Sequence, residues 1–262
     1  MLAVKSPMPY RSLNATYIVK TAQILHNRIN ERFPERGLSR VCEELTQVAQ
    51  EGLEQAEWVS RPLWPIRIAV AALILSLFYL LTRALFLFNL NHPPSDFVEF
   101  VQALEAGIND IILIGAAIYF LVTIETRVKR ERILKALHEL RSLAHIIDMH
   151  QLTKDPERLL NRATTASSPR EVMTPFELAR YLDYCSEMLS LLGKIAALYI
   201  QDFEEPVVLS TVNEIESLTN GLARKIWQKI MILQTLQPEL ERLEKALVMQ
   251  PQDTHGEEIA PE

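Results

Sequence analysis

Between Arg67 and Arg83 lies a run, Ile68 to Leu81, in which every residue is apolar or small. A surface helix of a water-soluble protein keeps a polar stripe toward solvent, and this run has none on any face. As a helix it rises about 21 Å, short of a hydrocarbon core of about 30 Å. Apolar character resumes from Ala84 to Phe88, so a span over residues 66–88 is long enough. A second run, Ile111 to Ile124, also rises about 21 Å, and extending it back to Ala106 gives a second span over 106–125. His92-Pro93-Pro94 marks a bend between them, and Ser95 is placed to cap the helix that follows. The expected fold is all-α: a two-span transmembrane helical hairpin within residues 61–126. The competing reading is a pair of core helices in a soluble protein, which requires the rest of the chain to cover both runs.

Each span carries polar residues near the same end. Arg83 lies about a turn and a half from the end of the first, and Asn109 and Asp110 lie near the start of the second. An isolated charge at mid-bilayer costs about 2.5–3.5 kcal/mol on insertion scales. Arg83 and Asp110 therefore read as an intramembrane polar pair, with Glu105 a competing partner for Arg83. The alternative is that Arg83 snorkels to the headgroups and Asp110 is simply hydrated.

Lys and Arg set the orientation. Arg61 and Arg67 precede or open the first span, and Arg127, Lys129, Arg130 and Arg132 follow the second. The segment from Asn89 to Ala106 holds neither residue type. By the positive-inside rule the protein is multi-pass with both termini cytoplasmic. Trp58 and Trp64 sit where indoles favour the headgroup region. The net charge of −6 argues against nucleic acid as a partner, because phosphate binding wants a basic surface. Basic residues confined to the hairpin flanks are explained by topology and membrane lipid.

The flanks read as helices. Residues 1–13 read as a flexible N-terminus without the layout of a cleaved signal. Residues 14–60 form a cytoplasmic helical pair: Asn14 caps a helix with Tyr17, Ile18, Thr21, Ala22, Leu25 and Ile29 along one face. Pro34 to Gly37 breaks it, and a second helix carries Val41, Cys42, Leu45, Val48, Ala49 and Leu53. Over 127–155 the second span continues as one long helix, ending near Pro156. Leu137, Leu140, Ala144 and Ile147 share one arc of it, and His138, Arg141, His145 and Asp148 share the next. Residues 156–173 read as a loop.

Thr174-Pro175-Phe176-Glu177 is a capping box with proline at the first helical position. Leu178, Leu182, Cys185, Leu189, Leu192, Ala196 and Tyr199 then alternate steps of four and three. That spacing suits a coiled-coil-like seam or the core of a bundle built from both flanks. A further helix opens at Glu205-Pro206 and runs through Asn220-Gly221, and Pro238 opens a last short one, closing a bundle over 174–248. Residues 249–262 read as a disordered acidic tail. The two cysteines, Cys42 and Cys185, read as buried thiols in a reducing compartment.

Catalytic motifs are missing. The chain has no phosphate loop, dinucleotide turn, nucleophile elbow or Cys-x-x-Cys, so an enzyme is the weakest reading and no cofactor is expected. His145 and Asp148, one turn apart, are weak candidates for a metal. His138 is two turns from His145, about 10 Å along the axis, too far to share the ion. Three functions follow in order. The first is a membrane anchor for a cytoplasmic helical interaction or scaffold domain, acting as a homo-oligomer or with a protein partner. The second is a small oligomeric pore, with Gly107, Gly115, Ala116 and Ala117 permitting close helix approach. The third is a metal-dependent activity on the cytoplasmic helix.

Overall fold

In the computed structural model, residues 12–87, 97–156 and 173–248 are described, and they are all-helical, without a strand. Six helices follow in order: α1 (Ala15–Arg32), α2 (Gly37–Ser60), α3 (Trp64–Leu87), α4 (Phe97–Leu152), α5 (Pro175–Leu198) and α6 (Pro206–Val248). The His92-Pro93-Pro94 bend, Ser95, the 156–173 loop beyond Pro156 and before Met173, the acidic tail and residues 1–11 lie outside the described residues.

Local chemistry sets the helix ends. Asn14 Oδ1 accepts from Tyr17 N–H at 3.2 Å and caps α1. The helix ends where Phe33 N–H returns to Ile29 O at 2.7 Å, just before Pro34. Glu35 then takes φ 58°, the left-handed turn that starts α2. Thr174 and Glu177 exchange both bonds of a capping box at the head of α5. Glu205 Oε2 accepts from Val208 N–H at 3.0 Å at the head of α6.

Five helices build the bundle. α5 is its centre and packs on α1, α2, α4 and α6. It buries Leu178, Leu182, Cys185, Leu189, Leu192 and Ala196, and on its other arc Tyr181, Tyr184, Met188, Leu191, Ile195 and Leu198. Tyr199 at its end is also buried. Both arcs are thus covered by the same chain, and the coiled-coil reading of the seam finds no support. From α1 the bundle takes Ile18, Ala22, Leu25 and Ile29, whereas Tyr17 is 68% exposed and Thr21 also faces out. α2 contributes Leu38, Cys42, Leu45 and Ala49, with Val41 and Val48 at its edge. The second half of α4 contributes Ile133, Leu137, Leu140, Ala144 and Ile147, and α6 adds Val208, Val212, Ile215, Leu222, Ile226, Ile230 and Leu233. Burial pushes the thiols of Cys42 and Cys185 up to about 12, so both stay protonated and unreactive.

α4 is one helix of 56 residues, about 84 Å, beginning at Phe97 and running on as one long helix as the periodicity predicts. One long helix differs from expectation in extent. α6 is one helix of 43 residues with Pro238 inside it, so Pro238 does not open a separate helix. Proline deletes one intrahelical N–H bond and crowds the carbonyl four residues back. Here it lies past Leu233, the last buried side chain of α6 among the described residues.

Candidate functional site: two uncovered apolar helices and their junction with the bundle

α3 has 24 residues, about 36 Å, which exceeds a hydrocarbon core of about 30 Å. It packs on α4 and on no other helix among the described residues. Both α3 and the first half of α4 are long and apolar enough to span a membrane, and nothing in either apolar window is buried. Ile68 is 62% exposed, Leu75 67%, Ile111 69% and Leu113 63%. The soluble-core reading needs these side chains covered, and the chain leaves them bare.

Charged groups gather where this pair meets the bundle. Glu125 accepts from Leu63 N–H (3.3 Å), from Arg67 Nε (3.3 Å) and from Lys129 Nζ (3.0 Å). Lys129, 8% exposed, also donates to Arg61 O at 2.9 Å. These bonds tie the α2–α3 corner to α4. Alongside them Arg132 stacks on the Trp58 ring at 4.5 Å, and Arg130 pairs with Glu205 at 3.3 Å. Trp64 is 65% exposed at the start of α3. Sequence reasoning noticed the cations here and missed Glu125. The available signal was a lone carboxylate closing an apolar run, directly before a basic cluster.

The polar residues singled out from sequence lie on α3 and α4 in different settings. Arg83 is exposed near the end of α3; Asp110 lies on α4, but its side chain is outside the described residues. On the second half of α4, Arg141 reaches α6 and pairs with Glu214 at 2.9 Å. Asp148 accepts from Gln151 Nε2 of its own helix at 2.6 Å, and His138 and His145 are exposed. His138 lines a shallow groove of about 370 Å³ between α2 and α4, walled by Glu44, Glu51 and Glu139. No group of three or more His, Cys, Asp or Glu among the described residues is arranged to hold a metal.

A histidine not singled out from sequence sits half-buried against other elements. His150, in the last turn of α4, faces the α1–α2 turn so closely that a Cβ on Gly37 would meet its Cε1 at 2.6 Å. Its Nδ1 lies 3.4 Å from Tyr181 Oη, and the Lys154 ammonium sits 5.2 Å above the Tyr181 ring. Burial, and secondarily Lys154, holds the His150 imidazole below its ordinary value. These residues line a hollow of about 510 Å³ at the end of the bundle away from α3. Only tertiary contact brings 37, 150 and 181 together, so no sequence spacing announced it.

Comparison of the chain with protein-family models, with curated proteins and with solved structures finds no match.

Proposed function

We propose that this chain is a two-span integral membrane protein that holds a helical bundle at the cytoplasmic face. The spans are α3 and the first half of α4, both termini are cytoplasmic, and the Glu125–Lys129–Arg67 cluster lies at the headgroup level. One observation carries the reading. The chain buries apolar side chains densely in its bundle, yet leaves those of α3 and the first half of α4 uncovered. Water would penalise that exposure by roughly 25 cal/mol per Å², whereas lipid removes the penalty. The bundle works as a membrane-tethered interaction domain. Because α5 is enclosed, its partner faces are the outer sides of α1, α4 and α6.

The test is carbonate extraction of membranes bearing the full chain, combined with labelling of a single cysteine introduced as His92→Cys. Retention in the pellet and labelling from outside the cell are expected. Release to the supernatant, or labelling from the side of the termini, overturns the reading.

A second reading, a self-assembled pore, draws on Gly107 and Gly115, around which a Cβ would meet nothing within 4 Å. That space suits the close approach of another helix. Single-channel recording of purified protein in planar bilayers decides it, and silence at all voltages removes it.

A further inference from the structure

We propose that the hollow among the α1–α2 turn, the end of α4 and the start of α5 binds a small organic oxyanion of the phosphate-monoester class. The anion would be held by Lys154 Nζ, the His150 imidazole and Tyr181 Oη. The proposal does not depend on the membrane reading, because the hollow lies wholly within the bundle.

Four features converge on it. The hollow, about 510 Å³, has the size of pockets that hold small organic ligands. Its polar lining is mostly cationic or donor-bearing: Lys154, Arg36, His150, Tyr181 and Thr153 stand against one carboxylate, Glu35. The field at its base also suits an anion. α2 begins at Gly37 without a side-chain cap, so the positive end of its dipole faces the site. The opposing negative end, that of α4, is covered by Lys229, whose Nζ donates to Gln151 O at 2.8 Å and Lys154 O at 3.2 Å. Finally, the wall includes one residue in a costly conformation, Glu35, left-handed at φ 58°, and the bare Gly37 leaves room for the His150 ring. Strain of this kind collects at ligand sites. Met149 and Met173 line the same hollow and give an organic substituent an adaptable apolar wall. Glu35 stands at the rim and opposes an anion, which fixes the sign of one variant below.

The experiment is NMR titration of the full chain in detergent, with histidine rings labelled, using phenyl phosphate and inorganic phosphate as probes. Phenyl phosphate is expected to move the His150 ring signal and raise its apparent pKa. It should bind more tightly than inorganic phosphate, because only the ester fills the methionine wall. Lys154→Gln should weaken binding about tenfold, and Glu35→Gln should strengthen it. Tyr181→Phe removes one contact and should weaken binding less than Lys154→Gln. An unmoved His150 signal at about 10 mM probe, roughly ten times a Kd of about 1 mM, overturns the proposal. So does a shift that survives both Lys154→Gln and Tyr181→Phe in proteins whose spectra are otherwise unchanged.

Discussion

The two halves of α4 have the same backbone and opposite surfaces. From Phe97 to Ile124 most of its described large apolar side chains are exposed, Ile111 at 69% and Tyr119 at 73%, with Ile114, Ile118 and Ile124 half-buried. From Ile133 to Ile147 one arc is covered by the bundle, with Leu137, Leu140 and Ile147 at 0%. The change falls at Glu125 to Arg132, within about two turns. One continuous helix thus carries two different surfaces, and its sequence switches pattern accordingly. In the first half, Ile111 to Ile124 carries no charge on any face. The second is amphipathic with a 3.6-residue period, as a bundle in water demands.

Leucine truncation in each half tests this contrast most directly. Leu140→Ala removes a fully buried side chain and should cost about 2–5 kcal/mol through lost burial and the cavity left behind. Leu113→Ala, on the uncovered half, should leave bundle stability unchanged within about 0.5 kcal/mol. Denaturant unfolding of detergent-solubilised protein, followed by circular dichroism, measures both. Equal losses at the two positions would mean that protein covers Leu113 after all. Arginine sharpens the contrast. Leu113→Arg costs almost nothing if that face meets water, but about 2.5–3.5 kcal/mol if it meets mid-bilayer hydrocarbon, read as a fall in the membrane-inserted fraction.

At the boundary between the halves, Glu125→Ala should cost about 1–3 kcal/mol, the penalty for leaving a buried donor without its acceptor. Lys129 keeps its bond to Arg61 O but loses its counter-charge, and the α2–α3 corner loses the Leu63 N–H bond. Limited proteolysis should then cut between Ser60 and Trp64 faster than in the parent chain. Unchanged cleavage would show that the apolar helix pair and the bundle are held together by the continuity of α4 alone.

What could be read in the sequence follows how local each feature is. Asn14 and the Thr174 capping box depend on four consecutive residues, and the structure has both caps. The buried arc of Leu137, Leu140, Ala144 and Ile147 depends on period alone. The fate of the α5 seam was not legible, because the same spacing serves a coiled coil and a bundle centre. Only the second arc of Tyr181, Tyr184, Met188, Leu191 and Ile195 decides for the centre. Pro238 misled for a physical reason: proline at the start of a helix and proline inside an unpacked one look alike in sequence. Of the four polar residues grouped on α4, Arg141 has an interhelical partner, and that partner, Glu214, is 73 positions away. The hollow around His150 was invisible because its walls come from three separate segments, around residues 36, 151 and 177 of the chain.

His150 gives the smallest effect, and one confined to the covered half. Its folded pKa lies below the ordinary 6.5, first through burial and then through Lys154. The groups facing it are Lys154 and Tyr181, with Arg36 and Glu35 lining the same hollow. The unfolded chain therefore takes up the proton first as pH falls. Stability is fully present above about 6.5 and declines as pH drops through that value toward the folded pKa. A modest fall in melting temperature between pH 7.5 and 5.5 is expected, and His150→Gln should flatten it. The glutamine keeps a polar group beside Tyr181 and cannot charge. A slope that persists in His150→Gln would move the acid-sensitive group off the end of α4, and with it the view that the bundle's enclosure reaches the last turn of that helix.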